Sequence, residues 1–226
     1  MIQPEHQRRA YLEALGIDVW LPRDQPDPQQ EDVAAAASCP DGLGWEDLRA
    51  AVAACTSCSL HTSRTQTVFG VGDPQADWMI IGEAPGAEED RRGEPFVGRA
   101  GKLLDEMLRA VGQSRDRVFI ANILKCRPPN NRDPKAEESA ACRGYLQRQI
   151  ELIQPKIILA VGRIAAQLLL ETDEPVGRLR GSRHQLGDTP LVVTYHPAYL
   201  LRSPSQKRKA WDDLCLASHL MREASL

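Results

Sequence analysis

Apolar and polar positions alternate along the chain in a pattern that predicts strands and helices in turn. Four short apolar segments rich in β-branched residues are predicted strands, at 77–82, 117–124, 156–162 and 190–196. Segments with helical spacing follow these strands, at 100–111, 135–153, 163–171 and 204–222. Strands that alternate with helices favour a parallel sheet covered on both faces. We therefore predict a three-layer α/β/α domain around a central four-stranded parallel sheet.

The first part of the chain has a different pattern. Residues 4–15 are a predicted short helix, and the Pro-, Gln-, Asp- and Ala-rich stretch that follows has few side chains to bury. Such a composition is typical of a linker or a disordered segment. A second helix is predicted over 45–55. The chain thus divides into an N-terminal appendage, 1–44, and an α/β domain, 45–226.

The net charge indicates no particular partner, but two local clusters of basic residues do. The 226 residues carry 28 Lys and Arg against 31 Asp and Glu, so the net charge of −3 gives no sign of a strongly basic nucleic-acid binder. Basic side chains nevertheless cluster at 178–183 and 202–209, where they could meet phosphates. No apolar run is long enough to span a membrane or to serve as a signal peptide, so we expect a cytoplasmic protein with reduced thiols.

Reduced cysteines in such a chain favour a metal site. Four of the six cysteines are the candidate ligands: Cys55, Cys58, Cys126 and Cys142. Four thiolates can hold either a tetrahedral zinc ion or a [4Fe–4S] cluster. A zinc ribbon usually has two C-x-x-C pairs and this set has one, so its spread along the chain suits a cluster that joins an N-terminal helix to the α/β body. Buried cysteines without a metal are the alternative. Cys39 and Cys215 are expected to be ordinary thiols, with Cys39 as a spare ligand in the alternative case.

Glycine-rich and polar segments follow the first two predicted strands, at the sheet edge where α/β proteins carry their chemistry. Gly82, Glu83 and Ala84 open a loop that can direct main-chain N–H groups toward an anion or a carbonyl oxygen. Phe96 in the same loop is either a stacking face for a planar base or a core residue. Asn122 ends the second strand, and its amide can match the N–H and C=O of a base edge or cap its own loop.

The later loops add further candidates. Asn131 lies in a proline-framed loop, as a water or base contact or as an ordinary turn residue. His196 ends the fourth strand, where it can donate a hydrogen bond to an oxygen that becomes anionic. Leu200 and Leu201 beside Arg202 suggest a wedge that enters a DNA stack while the arginine meets phosphate. The alternative is a plain strand-to-helix connection with buried leucines.

Together these motifs carry a resemblance. GEAPGAEEDRRGEPFVGRAGKLL, NILKCRPPNNRDP, HPAYLLR and the four cysteines, in this order over about 45–222, resemble the family 4 uracil-DNA glycosylases. These are bacterial and archaeal iron–sulfur enzymes of the uracil-glycosylase superfamily. A related covalent-trapping branch has a KRRIH insertion where this chain has PPNNRDP, so we expect the hydrolytic type. Residues 1–44 lie outside the resemblance.

The resemblance implies a monofunctional enzyme that flips deoxyuridine out of DNA, hydrolyses its N-glycosidic bond and leaves an abasic site, which initiates base excision repair. Phe96 is then expected to stack on uracil, and Asn122 to recognise the N3–H and O4 edge. Gly82 and Ala84 are expected to contact the base or line the water site. His196 is expected to stabilise the negative charge that develops on uracil O2.

The resemblance leaves the water-orienting residue open. The best-known superfamily branch uses an Asp in the first loop, which this chain lacks, and Glu83, Glu89 and Asn131 are the unranked candidates. DNA contacts are implied for the wedge 200–202, with phosphates also held by the basic run 178–183. The [4Fe–4S] cluster on the four cysteines is implied to be structural, and a redox-sensing role stays open.

We expect uracil-containing DNA as the partner, a monomer without membrane association, and a repair or replication partner for residues 1–44. One alternative is a non-catalytic, polymerase-related nucleic-acid-binding module, which would hold DNA and release no uracil. Another is a zinc-stabilised hydrolase of small nucleosides. A zinc protein would be colourless, whereas a [4Fe–4S] protein is brown.

Deletion of residues 1–40 is expected to leave uracil release intact, because every motif named above lies downstream of the deletion. Alkaline cleavage of a labelled oligonucleotide containing one uracil measures this release for the full chain and the truncated chain. A folded but inactive truncation would show that the appendage belongs to the catalytic domain.

Overall fold

The computed structural model describes residues 42–224, and within them one mixed sheet is built from six strands. The strands are β1 (Val71–Gly72), β2 (Trp78–Gly82), β3 (Phe119–Asn122), β4 (Ile157–Val161), β5 (Arg183–Leu186) and β6 (Thr189–Thr194). Their order across the sheet is β1–β3–β2–β4–β6–β5. Because β2 has β3 on one side and β4 on the other, the order of the strands reverses in the middle of the sheet.

Helices connect these strands. They are α1 (Trp45–Ala54), α2 (Ala87–Arg92), α3 (Arg99–Ala110), α4 (Ala136–Ile153), α5 (Arg163–Leu170), α6 (Val176–Leu179), α7 (Pro197–Arg202) and α8 (Lys207–Glu223). Short 3₁₀ turns lie at Ser59–Thr62, Pro129–Asn131 and Pro204–Gln206. None of the helices within 42–224 is long and apolar enough to cross a membrane.

The predicted α/β class is confirmed, and the predicted strand number is wrong. The four predicted strands are β3, β2, β4 and β6, and each neighbouring pair among them is parallel. Two antiparallel edge strands, β1 and β5, extend this sheet to six. The sequence pattern missed them because β1 has only two residues and the side chains of β5 are exposed or half-buried.

Alternate side chains of the central strands build a core on each face of the sheet, as strand geometry requires. On one face, Met79 and Ile81 of β2 pack with Leu48 of α1 and Leu146 of α4. On the other face, strand side chains such as Ile80 pack with Leu104 and Leu108 of α3 and Leu214 of α8. Each such side chain, fully buried, contributes about 1.5–3 kcal/mol. The three-layer arrangement is thereby confirmed.

The domain boundary at 44/45 stays a prediction, because the predicted helix at 4–15 and most of the linker lie outside the described residues. At the beginning of the described chain, the Leu43 carbonyl accepts a hydrogen bond from Arg148 Nε at 2.9 Å. The helix predicted over 45–55 is α1, which ends one residue earlier, at Ala54.

Candidate active site

The sheet brings the ends of its four parallel strands together at one edge. Gly82 and Asn122 are register partners at the carboxyl ends of β2 and β3. Gly162 follows β4, and a methyl group placed on it would lie 3.0 Å from Cβ of His196, which follows β6. Residues from four separate segments of the sequence therefore meet where the strand order reverses, as is typical of ligand sites in open α/β sheets.

Gly82 allows the closest approach within this site. A methyl group at this position would overlap the Asn122 side-chain oxygen and would lie 2.7 Å from Cζ of Phe96. Any side chain at residue 82 would therefore displace the amide or the ring. The predicted importance of the GEAPG loop has this physical basis: its first glycine leaves the space in which Asn122 and Phe96 meet.

The Asn122 amide is free to bind a ligand. Asn122 is 2% exposed, and its main-chain carbonyl accepts a hydrogen bond from Lys125 Nζ at 2.8 Å. Between residues 42 and 224, no protein group forms a hydrogen bond with its side chain, so the amide does not cap its own loop.

The Phe96 ring lies between the core and the site. It is 7% exposed and packs in the core on the α3 and α8 face. Its centroid is 5.6 Å from that of the His196 ring, with 29° between the ring planes. The two interpretations of Phe96, as a core residue and as part of the site, are therefore compatible.

Phe96 adopts a left-handed main-chain conformation with φ of 54°, which is uncommon for a residue with a side chain. Gly101, in the first turn of α3, makes room for it, because a methyl group there would overlap the Phe96 carbonyl group. Arg115 donates to the Phe96 oxygen at 3.3 Å and to the Pro95 oxygen. Sequence reasoning missed Gly101 and Arg115, which lie outside the loop that they support.

Glu89 braces the same loop from the other side. Its carboxylate accepts hydrogen bonds from three main-chain N–H groups, those of Gly86, Val97 and Gly98, at 3.1, 3.1 and 3.4 Å. Its neighbour Asp90 is buried and accepts two bonds from the Thr65 N–H. At least two acids of this loop thus serve its shape: Glu89 caps the start of α2, and Asp90 holds the Thr65 main chain.

Glu83 has an unusual electrostatic environment. Burial raises the pKa of its carboxyl to about 7, the negative Asp133 adds to this rise, and the positive Arg163 opposes it. Arg163 itself forms an ion pair with Asp133 at 2.6 Å. The residue is therefore partly protonated near neutral pH, and it loses its proton as the pH rises through 7.

His196 is held as a neutral ring. Burial lowers its pKa to about 4, the positive Arg202 adds to this fall, and Glu89 opposes it. Its Nδ1 accepts a hydrogen bond from the Ala198 N–H at 3.1 Å. A neutral imidazole that accepts at Nδ1 carries its proton on Nε2. The ring therefore offers an N–H donor at neutral pH.

The third water candidate, Asn131, is exposed and has its side-chain oxygen bound to Arg127 Nε at 2.7 Å. Ala84 lies half-buried and packs against the cysteine cluster described next. The roles of Asn131 and Ala84 both stay predictions.

The four predicted cysteine ligands line one small cavity. They come from the segment after α1, from the turn after β3 and from α4: Cys55, Cys58, Cys126 and Cys142. Arg64 donates to Cys126 Sγ at 3.0 Å, and burial raises the pKa of the Cys142 thiol to about 12. In the part of the chain described here, no three His, Cys, Asp or Glu side chains are arranged to hold a single metal ion.

Comparison with known proteins agrees with this geometry. The family model of the Uracil DNA glycosylase superfamily matches residues 69–215. The chain belongs to this superfamily.

Curated relatives place the chain more closely. A type-4 uracil-DNA glycosylase of Archaeoglobus fulgidus is 42% identical over 176 residues, which cover 74% of this chain and 88% of that protein. One from Thermotoga maritima is 46% identical over 155 residues, which cover 68% and 81%. The resemblance to family 4 is thereby confirmed. A DNA polymerase of Bacillus phage SP01 is 29% identical over 153 residues, which cover 67% of this chain and 16% of the polymerase.

In this superfamily member, the predicted DNA wedge needs one correction. Leu200 is 1% exposed and packs in the core, because α7 turns it toward the sheet. Leu201 is 36% exposed and Arg202 is exposed beside it, so these two remain candidates for DNA contact. The pattern could not separate the two leucines because the helix α7 was not predicted.

The basic run 178–183 is also less available than expected. Arg180 forms an ion pair with the buried Asp213 at 2.8 Å and lies over the Tyr195 ring, so it connects α6 to α8 and β6. Arg178 and Arg183 remain exposed. The phosphate role predicted for the whole run therefore applies at most to these two.

Substitution of Gly101 by Ala is expected to lower the free energy of unfolding by about 1–3 kcal/mol, because the methyl group overlaps the Phe96 carbonyl. Gly177→Ala is the matched control, since Gly177 is helical and no atom lies within 4 Å of the added methyl. Urea denaturation measures both variants. Equal stability of Gly101→Ala and the wild type would contradict the packing described here.

Proposed function

We propose that this protein is a uracil-DNA glycosylase that hydrolyses the N-glycosidic bond of deoxyuridine in DNA, releases uracil and leaves an abasic site for base excision repair. One observation carries the proposal: the unbonded Asn122 amide and the Phe96 ring meet at Gly82, which has no side chain, and the His196 ring lies against Phe96. The two type-4 uracil-DNA glycosylases that are 42% and 46% identical to this chain support the proposal.

Base recognition follows from the polarity of the Asn122 amide. Its oxygen can accept from uracil N3–H while its NH₂ donates to O4. Cytosine presents an acceptor at N3 and a donor at C4, which reverses both requirements. An amide that the pocket keeps in this orientation would leave its polar groups unpaired against cytosine, so we propose that a fixed Asn122 amide favours uracil over cytosine.

The flipped base stacks on Phe96. The brace around this residue keeps its ring in place without a ligand, because Glu89 holds the loop on one side and Arg115 on the other. A pre-positioned ring does not lose conformational freedom when the base enters.

His196 stabilises the leaving group. As the glycosidic bond breaks, negative charge develops on uracil O2, and the neutral Nε2–H is a donor for that oxygen. A buried donor that is already oriented needs no rearrangement during the reaction, which is the basis of oxyanion stabilisation. Uracil then leaves as an anion, and water attacks the sugar carbon C1′.

Glu83 is the strongest candidate for orienting this water. Among the described residues its carboxylate has no hydrogen-bond partner, whereas the Glu89 carboxylate accepts from main-chain N–H groups and the Asn131 amide oxygen accepts from Arg127. In its ionised form Glu83 can accept a proton from water and face the positive charge of the sugar in the transition state.

DNA itself is held outside this pocket. Leu201 is the candidate wedge that fills the space left by the flipped nucleotide, and Arg202 meets a flanking phosphate. The exposed Tyr199 on the same helix adds an aromatic surface next to them. We propose a monomer that acts on uracil-containing DNA.

The four cysteines fit a [4Fe–4S] cluster, because they line one cavity and their thiolates are the ligands that such clusters take. The bound cluster would supply cross-links between α1, the turn after β3 and α4. Hydrolysis needs no electron transfer, so the proposed role is structural. A brown protein with broad absorbance near 400 nm supports a cluster, and a colourless zinc protein would refute it.

The cytoplasm, where thiols stay reduced, is the proposed location. Residues 1–44 precede the stretch matched by the family model, 69–215, and we propose that they form an appendage that binds a repair or replication partner.

Asn122→Ala and His196→Ala are each expected to lower the single-turnover rate of uracil release by about 10²–10³-fold, because each removes one oriented group. Affinity for the DNA should persist, since the flanking contacts remain. The assay is alkaline cleavage of a labelled oligonucleotide with one uracil, with a thymine oligonucleotide and the exposed His219→Ala variant as controls. Unchanged rates in both site variants would overturn the assignment, and DNA binding without any release by the wild type would favour the binding module.

The rate of uracil release is expected to rise with pH through about 7, because Glu83 becomes ionised above its raised pKa. His196 should add no inflection between pH 5.5 and 8.5, since its pKa of about 4 keeps it neutral there. Arg163→Gln should move the inflection upward, because it removes the cation that favours the carboxylate. A pH–rate profile that is flat, or that keeps its inflection in Glu83→Gln, would contradict this role.

A further inference from the structure

Lys125 is a buried lysine that the proposed mechanism does not use. It lies between the end of β3 and Cys126, and it is 1% exposed. Lysine is almost never fully buried unless its charge is balanced, so a lysine in this position needs a physical explanation.

Its side chain joins two parts of the molecule. Nζ donates to the Asn122 main-chain carbonyl at 2.8 Å and to Gln149 Oε1 at 2.6 Å. Gln149 is fully buried in α4, and its NH₂ group donates to the Phe69 carbonyl at 2.9 Å. The turn from Asn122 to Lys125 is therefore attached to α4 and to the segment that precedes β1.

The main chain of Lys125 also forms hydrogen bonds to two separate segments. Its N–H points to Cys142 Sγ at 3.4 Å, and its carbonyl accepts from the Val68 N–H at 2.8 Å. The residue that holds the Asn122 carbonyl thus contacts one cysteine directly and is followed in the chain by another, Cys126.

The charge of Lys125 has no carboxylate partner. In residues 42–224 its ammonium forms no ion pair with Asp or Glu, and both of its oxygen partners are neutral. Lys125 lines the same cavity as Cys126 and Cys142, whose sulfur atoms can become anionic. Cysteine ligands bind metals as thiolates, so a bound cluster places negative charge beside this ammonium.

We propose that Lys125 is a positioning residue that links the cysteine cavity to base recognition: its ammonium fixes the Asn122 main chain, and the thiolates of Cys126 and Cys142 supply the negative charge that keeps this ammonium in the core. The inference rests on the proposed function, in which Asn122 recognises uracil. It gives the cluster a role beyond joining helices, because loss of the thiolates would leave an unbalanced cation next to the recognition residue.

The test compares Lys125→Met with Lys156→Met in the protein that holds its cluster. Lys156 is half-exposed at the beginning of β4 and pairs with Asp77 on the surface, so its variant controls for the loss of one lysine. Lys125→Met is expected to lower the single-turnover rate of uracil release at least tenfold while the Kd for DNA changes less than twofold. Its cluster should also have a more negative midpoint potential, because a nearby cation favours the reduced, more negative cluster.

A double variant separates positioning from packing. In Lys125→Met with Gln149→Leu, the Asn122 carbonyl and the Phe69 carbonyl both lose their buried donors. Its thermal stability should therefore fall below that of Lys125→Met, while the rate stays at the level that Lys125→Met already has, since the Asn122 carbonyl is released in both variants. A rate that falls further in step with the stability would overturn the proposal and assign Lys125 to packing alone.

The wild type in the same assay distinguishes a failure of the role proposed for Lys125 from a failure of the proposed glycosylase function. If the wild type releases uracil and Lys125→Met matches it in both rate and midpoint potential, the role of Lys125 is refuted and the glycosylase function stands. If the wild type itself releases none, the proposed function fails. The midpoint potentials of Lys125→Met and Lys156→Met then still decide whether Lys125 and the thiolates interact, and equal potentials would refute that interaction.

Discussion

The close approach of β2 and β3 at Gly82 is the constraint on which the site depends. Parallel pairing sets Gly82 beside Asn122, and the missing side chain lets the Asn122 amide and the Phe96 ring occupy adjoining space. The elements around this point act to preserve it. Glu89 and Arg115 hold the loop in which Phe96 has a strained main chain, and Gly101 leaves room for its carbonyl. Strained residues persist only where the surroundings fix them in this way, and they are common at functional sites.

Buried ionisable side chains near Gly82 differ in their task from those in the rest of the domain. Burial shifts both Glu83 and His196 toward their neutral forms. An uncharged donor and an acid that ionises near neutral pH suit a reaction in which charge develops on both the base and the sugar. Elsewhere buried charge serves the fold: the Asp213 carboxylate binds Arg180 and Thr194, which connects α8 to α6 and to β6.

The sheet connects the cysteine cavity to the pocket through a short turn. Asn122 ends β3, and Cys126 lies four residues later in the wall of the cavity. Lys125 lies within this turn and forms hydrogen bonds toward both. A small displacement at the cavity would therefore reach Asn122 through covalent and hydrogen-bonded neighbours.

Much of the fold could be predicted from local pattern. The four central strands are continuous apolar runs, which are typical of strands buried on both faces, and their alternation with helices predicted the class. The edge strands β1 and β5 could not be predicted in this way. They are strands because they pair with a neighbouring strand of the sheet, and their side chains are not buried. The same limit explains Leu200 and Leu201: adjacent leucines look alike until a helix directs one of them into the core.

The sequence by itself determined which residue types stand at the strand ends, the four cysteines and the family, because a parallel α/β sheet places its strand ends at one edge whatever the details of packing. Only the tertiary structure decided the tasks of the acids and bases. Glu89 braces a loop, Glu83 has a raised pKa, Arg180 is withdrawn into an ion pair and Lys125 is enclosed between Asn122 and Gln149. The protonation state and bonding of a charged side chain depend on burial and on neighbours distant in sequence, and no local pattern contains them.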